Sequence, residues 1–264
     1  LDFTASHAIE CFRLYSWWWR ISLSMSAPSF RPLYDQIKIL ITQSLIAGEW
    51  RPGEAIPSEI DLAARFGVSQ GTVRKAIDEL SAENILVRKQ GKGTFVATHS
   101  EERTQLRFLR VLSTSGDKEA PKSEVIDCKR GRATAEVAKA LELRSGAPVY
   151  IVKRVLRFSG RPLILDEIVV SAVLFKGLTA QRLNEIQGSV YSFFELHYGL
   201  RMIRAEERLT AVSANEETAQ HLDVSPGTPL LCVDRIAFTY GDKPVEWRRG
   251  LYHTDGYYYY NELA

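Results

Sequence analysis

Hydrophobic residues in the N-terminal third of the chain recur with the period of an α-helix. The stretch 33–45 places Ile37, Leu40 and Ile41 on one face and runs on to Gly48, which predicts a helix with one buried side. Trp50 follows in the turn and is expected to fill the core. This first helix is interpreted as a scaffold for the elements that come after it.

Two further helices are predicted immediately downstream. Ser58 and Asp61 have the spacing of a capping box, so a helix begins there and stops at Gly67. Ser69 can cap the next helix, whose buried stripe consists of Val73, Ala76, Ile77 and Leu80. Two short helices joined by a tight glycine turn form the helix-turn-helix unit that reads DNA.

The other side of the second of these helices is polar and cationic, and carries Gln70, Gly71, Thr72, Arg74 and Lys75. No acidic residue lies within 66–77, so phosphates can approach. The two cations attract the DNA backbone, the Gln side chain can pair with an adenine edge, and the Gly leaves room for the groove floor. If this helix is considered alone, these polar residues are explained equally well as an ordinary solvent-exposed helix face with no role in DNA binding.

A β-hairpin with a cationic tip is predicted next. Strand-like segments at 86–89 and 94–96 flank a turn with two glycines, and Arg88, Lys89 and Lys92 crowd its tip without a neighbouring acid. Such a tip suits a wing that lies along the minor groove or the backbone. The N-terminal third is therefore interpreted as a winged helix-turn-helix domain.

Residues 33–96 resemble the DNA-binding domain of the GntR family of bacterial transcription regulators. The resemblance rests on Pro52-Gly53, Pro57-Ser58-Glu59, Val68-Ser69, Thr72-Val73-Arg74-Lys75-Ala76 and Gln90-Gly91-Lys92-Gly93-Thr94-Phe95-Val96. It implies base and phosphate contacts from Ser69, Gln70, Thr72 and Arg74, and entry of Gly91 into the minor groove.

The full expected DNA-binding set is Ser58, Glu59, Ser69, Gln70, Gly71, Thr72, Arg74, Lys75, Arg88, Lys89, Gln90, Gly91, Lys92 and Gly93. Ile60 stands where many family members carry Arg. One DNA contact from the preceding helix is therefore expected to be missing.

The C-terminal part of the chain contains an internal duplication. Ala138-x-x-Leu141-x-Leu143-x-x-Gly146-x-Pro148 recurs as Ala219-x-x-Leu222-x-Val224-x-x-Gly227-x-Pro229, and each copy continues to an arginine, Arg154 or Arg235, and a hairpin turn. Strands are predicted at 106–112, 123–128, 149–158, 163–170, 204–212, 230–240, 245–252 and 257–262, with three short helices. The pattern favours an α+β domain of two related halves around an antiparallel sheet, with a ligand cavity at their seam.

The region from about residue 104 to the end resembles the UTRA effector-sensing domain of the HutC branch of that family, a fold shared with chorismate lyase. In relatives that sense phosphorylated sugars, an Arg pair, a Ser-x-Tyr at a helix start, and an acid and a Tyr on the penultimate strand hold the ligand. The resemblance implies a ligand site of Arg154, Arg157, Asp166, Ser189, Tyr191, Glu246 and Tyr252. Leu156 falls on the second Arg position, so a polar or anionic metabolite is expected rather than specifically a phosphate.

Other interpretations of these residues stay open. An Arg with hydroxyls at a helix N-terminus can cradle an anion, yet Arg154 and Asp166 are equally well explained as a cross-strand ion pair. Tyr252 can be a sheet-packing aromatic. The run 257–260 is interpreted as a final strand with alternate rings buried, or as part of a dimer interface.

Composition narrows the function classes. The chain has 264 residues, 45% hydrophobic and 25% charged, enough for two domains, and a net charge of only +2 confines any DNA contact to a patch. Cys11, Cys128 and Cys232 are far apart, so neither zinc nor a cofactor is expected. No HExxH motif is present; a chorismate-lyase-like enzyme fused to a DNA-binding head is the second hypothesis.

The expected organisation is an extension without function at 1–24, or alternatively an interaction arm, a winged head at 28–97, a linker at 98–104 and an effector domain at 105–264. Charged residues interrupt the apolar run near the start, so neither a signal sequence nor a membrane span fits. The expected protein is a cytoplasmic homodimeric repressor that binds double-stranded operator DNA at half-sites roughly 34 Å, or a multiple of that distance, apart. A small-molecule effector is expected to change the spacing of its heads through the linker.

Overall fold

The computed structural model describes residues 31–98, 108–116, 119–186 and 189–261. The extension expected at 1–24, with Cys11, lies outside the described residues, as does the linker beyond Thr98.

The N-terminal unit contains three helices and a hairpin, as the sequence predicts. The helices are α1 (Leu33–Ile46), α2 (Glu59–Phe66) and α3 (Gln70–Ala82). Strands β1 (Leu86–Lys89) and β2 (Gly93–Val96) pair antiparallel. The predicted winged helix-turn-helix is confirmed.

Local signals in the sequence explain where these helices begin and end. The Ser58 side chain accepts a hydrogen bond from the backbone N–H of Asp61, 3.2 Å away, and caps α2. Gly67 ends α2 in the left-handed conformation at φ +65°, which glycine adopts without steric cost. Ser69 caps α3 in the same way through the N–H of Thr72, 3.2 Å away.

One hydrophobic cluster fills the space between the three helices and the hairpin. The predicted stripe of α3 is buried, and Trp50 is a core residue as expected. The cluster includes Ile37, Ile41, Leu45, Trp50, Ile56, Leu62, Val73, Ala76, Ile77, Leu80, Ile85, Leu86 and Val96. Burial of α3 on this side fixes its opposite side toward solvent.

The C-terminal unit is built around a six-stranded antiparallel sheet. Its strands are β4 (Lys122–Arg132), β5 (Pro148–Phe158), β6 (Arg161–Ser171), β7 (Arg204–Ser213), β8 (Pro229–Phe238) and β9 (Pro244–Tyr252), in the order β4-β5-β6-β9-β8-β7. Short strands β3 (Val111–Ser113) and β10 (Tyr257–Tyr259) form a separate ribbon. The helices are α4 (Ala135–Ala140), α5 (Ala180–Asn184), α6 (Val190–Tyr198) and α7 (Glu216–Leu222). The α+β class is confirmed.

The sheet order reproduces the duplication seen in the sequence. Strands β4, β5 and β6 mirror β7, β8 and β9 about the seam between β6 and β9. The turns that follow α4 and α7 also match, because Ala133 N–H donates to Ala147 O at 2.9 Å and Ala214 N–H donates to Thr228 O at 2.8 Å. The two halves therefore meet at the centre of the sheet.

The two faces of the sheet are covered differently. Helices α4 and α7 pack on one face through two apolar clusters. On the other face, α5 and α6 cover one end and the β3–β10 ribbon covers the other, again through apolar clusters. The centre of this second face, between helices and ribbon, carries charged side chains.

Two expectations about this domain are wrong. Within the described part of the run predicted to be extended over 106–112, Phe108 and Leu109 are helical and Arg110 has φ +50°, so β3 begins only at Val111. Apart from the helical residues 108–109, the described part of the domain contains four α-helices rather than three, because the segment 180–184, capped by Thr179, forms a short helix of its own. The alternation predicted for the final strand is confirmed, with Tyr257 and Tyr259 half-buried and Tyr258 exposed.

Candidate functional site

The exposed side of α3 and the tip of the hairpin lie on one surface of the head, which we call the reading surface. Gln70, Gly71, Arg74 and Lys75 are exposed and Thr72 is half-buried. Of the hairpin residues expected to contact DNA, Arg88, Lys89, Gln90, Gly91, Lys92 and Gly93 are all exposed.

A single carboxylate ties this surface together. Glu59, at the start of α2, accepts hydrogen bonds at Oε2 from Arg74 Nε (2.9 Å) and Gln70 Nε2 (3.3 Å). Its Oε1 accepts from Arg88 Nη1 at 2.8 Å. Arg88 also pairs with Asp78 at 2.7 Å. The carboxylate therefore links α2, α3 and the first hairpin strand.

This arrangement corrects one inference from the sequence. The segment 66–77 holds no acid, yet Glu59 folds back from the preceding helix onto the same surface. Partial burial raises the pKa of Glu59, but the hydrogen bonds from Arg74, Arg88 and Gln70 outweigh it and hold that pKa below its ordinary value. The carboxylate therefore stays ionised, and its hydrogen bonds hold the side chains of Arg74 and Arg88 in fixed orientations.

The hairpin tip is sterically open. Gly91 and Gly93 have φ of +70° and +105°, and a Cβ built at either position would meet no atom within 4 Å. Lys89 Nζ lies 4.8 Å from the centroid of the Phe95 ring, while Lys75 Nζ lies 3.8 Å from that of Tyr34. The tip can therefore enter a narrow groove without moving the packed base of the hairpin.

Ser58 and Ser69, also expected to contact DNA, lie exposed at the helix starts. In this structure their hydroxyls are engaged in capping, with Ser58 Oγ also donating to Asp61 at 2.6 Å and Ser69 Oγ 2.9 Å from Thr72 Oγ1.

A cluster of buried charges occupies the centre of the second face of the effector sheet. Arg154 on β5 donates to Asp166 Oδ2 on β6 from Nε (3.0 Å) and Nη2 (2.8 Å). Arg248 on β9 lies 3.4 Å from the same oxygen and donates to Glu246 through Nε (2.9 Å) and Nη2 (3.0 Å). Tyr191, from the first turn of α6, donates to Glu246 Oε1 at 2.9 Å.

The cluster extends into the second half of the domain through Arg235 on β8. Its Nε donates to Glu207 Oε1 at 2.6 Å, and its Nη1 lies 3.4 Å from the hydroxyl of Tyr191. Its Nη2 donates to the carbonyl oxygen of Phe108. Tyr259 of the ribbon donates to the other oxygen of Glu207. Both halves of the duplication therefore supply ionic groups to one site.

Three of these residues, Arg235, Arg248 and Glu207, were not expected from the sequence. The signal for Arg235 was present, because the duplication aligns it with Arg154. Arg248 takes a place that the resemblance did not provide for: its side chain bridges Asp166 and Glu246. Nothing in the sequence pattern singled out Glu207.

Burial and charge set the ionisation of the cluster. Burial raises the pKa of Asp166, but Arg248 and Arg154 outweigh it and hold that pKa below its ordinary value. Burial raises the pKa of the Tyr252 hydroxyl to about 12 and raises that of Tyr191. The carboxylate is therefore charged and the two phenols are neutral hydrogen-bond donors near pH 7.

One oxygen of the cluster stands out. Within the described part of the chain, Asp166 Oδ1 is buried and has no hydrogen-bond partner. Gly250 passes close beside it: a Cβ at Gly250 would lie 3.0 Å from this oxygen and 2.5 Å from the Tyr252 ring. Only glycine lets β9 approach this closely. A buried acceptor of this kind costs free energy unless a donor meets it.

The cavity beside the cluster is small. It has a volume of about 10 Å³ and is lined by Ser123, Val125, Val152, Arg154, Ile168, Leu183, Ile186, Val190 and Phe194. A wider groove of about 430 Å³ runs along the outer side of α5 and α6, past Phe193 and His197. The groove lacks the buried charges, so the cluster and its cavity form the candidate effector site.

The structure brings together four of the residues implied for ligand binding: Arg154, Asp166, Tyr191 and Glu246. It places Tyr252, 4% exposed, beside Gly250 within the same face. Two others are placed differently.

Ser189 caps α6, accepting from the N–H of Ser192 at 3.1 Å. Arg157 pairs with Glu124 at 2.9 Å on an accessible part of the sheet and does not join the cluster. Leu156, at the position of the expected second Arg, is buried in an apolar cluster. Ligand contacts of Ser189 and Arg157 stay predictions.

Comparison with known proteins places both units in one family. The UTRA domain family matches residues 117–258, and the family of bacterial regulatory proteins called gntR matches residues 33–96. The chain belongs to the GntR family. It carries the UTRA domain of the HutC branch, and its fold and its role as a DNA-binding transcription regulator are thereby confirmed.

Individual relatives of this GntR regulator span nearly the whole chain. The transcriptional regulator YurK of Bacillus subtilis is 30% identical over 86% of this chain and 93% of its own length. The mannosyl-D-glycerate transport/metabolism system repressor MngR of Escherichia coli is 30% identical over 86% and 94% respectively. The solved ligand-binding domain of a GntR-family regulator from Bordetella bronchiseptica is 44% identical, covers 60% of this chain and 98% of its own, and superposes with a TM-score of 0.57.

These relatives are transcription regulators, and none of them supports the second hypothesis of a lyase domain. No helix within the described ranges is both long and apolar enough to cross a bilayer. Among the described residues, no group of three potential metal-ligating side chains occurs.

Proposed function

We propose that this GntR regulator is a homodimeric repressor whose affinity for operator DNA is set by a polar or anionic metabolite held at the buried charge cluster. The observation that carries the proposal is the unpartnered buried oxygen of Asp166 beside Arg154, at the seam of the duplicated halves. A buried acceptor without a donor requires an explanation, and a ligand that donates to it in a pocket of polar groups supplies one.

The charges of the cluster indicate the chemistry of the effector. Three guanidinium groups (Arg154, Arg235 and Arg248) face three carboxylates (Asp166, Glu207 and Glu246), so the array is neutral as it stands. An effector with a hydroxyl or amino group can donate to Asp166 Oδ1. A second polar or anionic group on the same molecule can accept from Arg154, which already lines the cavity.

Repression is supported by the relatives and by the site. MngR and NagR, the latter from Bacillus subtilis, are both named repressors. In a repressor that its effector releases from DNA, the free protein must be competent to bind DNA, and the reading surface is preformed because Glu59 already orients Arg74 and Arg88. The effector then acts by favouring an arrangement that binds DNA less tightly.

The homodimer is proposed because one winged head presents one reading helix. Helix-turn-helix proteins gain specific affinity by placing two such helices in successive major grooves, about 34 Å apart. The cytoplasm is the proposed location, since the operator DNA of a bacterial chromosome lies there.

The test begins with duplexes selected by the purified protein from fragments of its own genome. Sugar phosphates, hexuronates, hexosamines and amino acids are then screened for compounds that raise the unfolding temperature of the protein and release the selected duplex. Arg154→Lys keeps the charge but loses the two-pronged contact to Asp166, and is expected to lose the response to the active compound while still binding the duplex. Arg130→Lys, on the exposed face of β4, is the matched control.

Retained release by the active compound in Arg154→Lys would move the effector site elsewhere. No preference for any genomic fragment over random duplex would contradict the proposal as a whole.

A further inference from the structure

The effector domain touches the winged head at one end of its sheet. Ile203 and Tyr240, 8% and 9% exposed, join the hydrophobic cluster of the head. Gly241 follows in the turn after β8, where an added Cβ would lie 3.6 Å from Ile46 Cδ1 of α1. The two domains therefore share a packed interface in addition to the chain that links them.

Arg201 is a buried charged residue at this interface. Its side chain is 2% exposed, and its Nη1 donates to the carbonyl oxygen of Ile85 in the head at 3.3 Å. Ile85 lies between the end of α3 and the start of β1, and its carbonyl also accepts from Ala97 N–H at 3.1 Å. Arg201 thus binds the head where α3 connects to the first strand of the hairpin.

The same guanidinium group faces a carboxylate of its own domain. Arg201 Nε lies 3.7 Å from Oε1 of Glu195, which is 9% exposed and sits on α6. This separation is that of an ion pair longer than a hydrogen bond. A small movement of α6 toward Arg201 would close the pair and draw the guanidinium away from the Ile85 carbonyl.

The other end of α6 is part of the candidate effector site. Tyr191 in its first turn donates to Glu246, and Val190 and Phe194 line the cavity. Tyr191 and Glu195 lie four residues apart on this helix, about 6 Å of rise, so one rigid turn connects the charge cluster to Glu195.

The cavity cannot admit a metabolite as it stands. Its volume of about 10 Å³ is the space of a single water molecule, whereas ligand pockets measure roughly 300 Å³ or more. Room can come from α5 and α6, which supply Leu183, Val190 and Phe194 to its wall. Entry of an effector there would move α6.

We propose that Arg201 is the positioning residue that couples the effector site to the reading surface: a displacement of α6 caused by effector binding changes the contact of Arg201 with the head. The inference rests on the proposed function, for which it supplies the route of regulation. In one arrangement Arg201 holds the Ile85 carbonyl and fixes the root of the wing. In the other, displaced α6 brings Glu195 onto Arg201, and the head is released. Two discrete arrangements of one buried ion pair provide the two-state element that coupling between distant sites requires.

The test needs no effector, because a substitution at the far end of α6 replaces it. Amide hydrogen exchange is followed in the full-length protein for the segment 85–97, which spans the wing. Arg201→Met is expected to speed exchange there about tenfold, the effect of losing roughly one interface hydrogen bond. Glu195→Gln removes the carboxylate that competes for Arg201 and is expected to leave the Arg201 contact to Ile85, and hence this exchange, intact or slower. Leu196→Ala, the neighbour of Glu195 on α6 and 79% exposed, is the matched control and is expected to leave this segment unchanged.

The decisive comparison is a double-mutant cycle with Tyr191→Phe, which removes the donor to Glu246. In the wild-type background, Tyr191→Phe is expected to change exchange in 85–97. In the Arg201→Met background it is expected to add nothing further. An unchanged segment in Tyr191→Phe, or the same change with and without Arg201, would overturn the proposal.

Circular dichroism shows whether each variant folds. If Arg201→Met does not, Glu195→Gln takes its place in the cycle with the same expected and contrary results. Since no metabolite is used, a failed metabolite screen would count against the proposed function alone, and a failed cycle against the role of Arg201 alone.

Discussion

Asp166 on β6 and Arg248 on β9 occupy equivalent positions in the two halves of the effector domain, each four residues beyond the proline that follows the hairpin turn. They meet across the seam, with Arg248 Nη1 3.4 Å from Asp166 Oδ2. The duplicated position thus carries opposite charges in the two halves. The buried carboxylate of one half is therefore paired with the buried guanidinium of the other, and this ion pair joins the two halves.

The first prediction concerns the pH dependence that Asp166 confers. Its folded pKa lies below the unfolded value of about 3.9, so the unfolded state binds the proton more tightly. The stabilisation is therefore fully present above about pH 4 and is lost as the pH falls through the folded pKa. The urea midpoint of wild type should exceed that of Asp166→Asn at about pH 6, and the difference should shrink toward about pH 3.

Asp127→Asn, an exposed position on β4, controls for the general effect of removing a carboxylate. A gap between wild type and Asp166→Asn that stays constant with pH would show that packing, rather than ionisation, sets the contribution of Asp166.

The second prediction compares two arginines of β5. Arg154→Ala leaves Asp166 with one fewer of its buried cations, and is expected to lower the free energy of unfolding by roughly 3–5 kcal/mol. Arg157→Ala breaks only an accessible pair with Glu124 and is expected to cost roughly 0–1 kcal/mol. Urea unfolding followed by circular dichroism measures both. Equal costs would mean that the cluster is not the stabilising centre of the domain.

The third prediction concerns DNA binding by α3. Arg74→Ala removes an exposed cation of the reading surface, and is expected to weaken binding to a selected duplex by roughly 1–3 kcal/mol with the fold intact. Fluorescence anisotropy at matched salt measures the effect, with Arg130→Ala in the effector domain as control. Affinity equal to wild type would remove Arg74 from the reading surface.

The fourth prediction tests whether Glu59 orients Arg74 and Arg88 for DNA binding or only repels the DNA phosphates. Glu59→Gln removes a negative charge, so binding to random duplex should strengthen slightly. Because Arg74 and Arg88 lose their common anchor, preference for the selected duplex over random duplex should fall, by about tenfold for one misplaced side chain. If the preference for the selected duplex over random duplex were unchanged or increased, Glu59 would act only by lowering the positive electrostatic potential of the reading surface, and not by orienting Arg74 and Arg88.

The sequence was sufficient where short-range rules apply. Caps at Ser58 and Ser69 and the left-handed Gly67 depend on neighbouring residues, so the head helices could be predicted closely. The duplication likewise indicated the two halves of the sheet. Arg110 in the left-handed region broke a strand that looked regular, because the ribbon's pairing with Tyr257–Tyr259 decides its start.

The reading surface and the effector site were harder to predict from the sequence, because their contacts join residues far apart in the chain. Glu59 meets Arg88 across 29 positions, and Arg248 meets Asp166 across 82. No local pattern marks such pairs. The resemblance supplied the strands that carry the site and also implied Arg157, which in this structure follows the bulge in β5 and pairs with Glu124 outside the charge cluster. Its contact with a ligand stays a prediction.

The fifth prediction isolates the contact between the two domains by means of the duplication. Gly160 and Gly241 lie in equivalent hairpin turns with φ of +80° and +69°, so alanine at either position is strained and is expected to cost about 1 kcal/mol of stability. Only the Cβ at Gly241 meets the head, at Ile46. Gly241→Ala should therefore change hydrogen exchange at the C-terminal end of α1, whereas Gly160→Ala should not. Identical exchange in α1 for both variants would mean that this interface does not persist in solution, and Arg201 would then have no stable head contact to control.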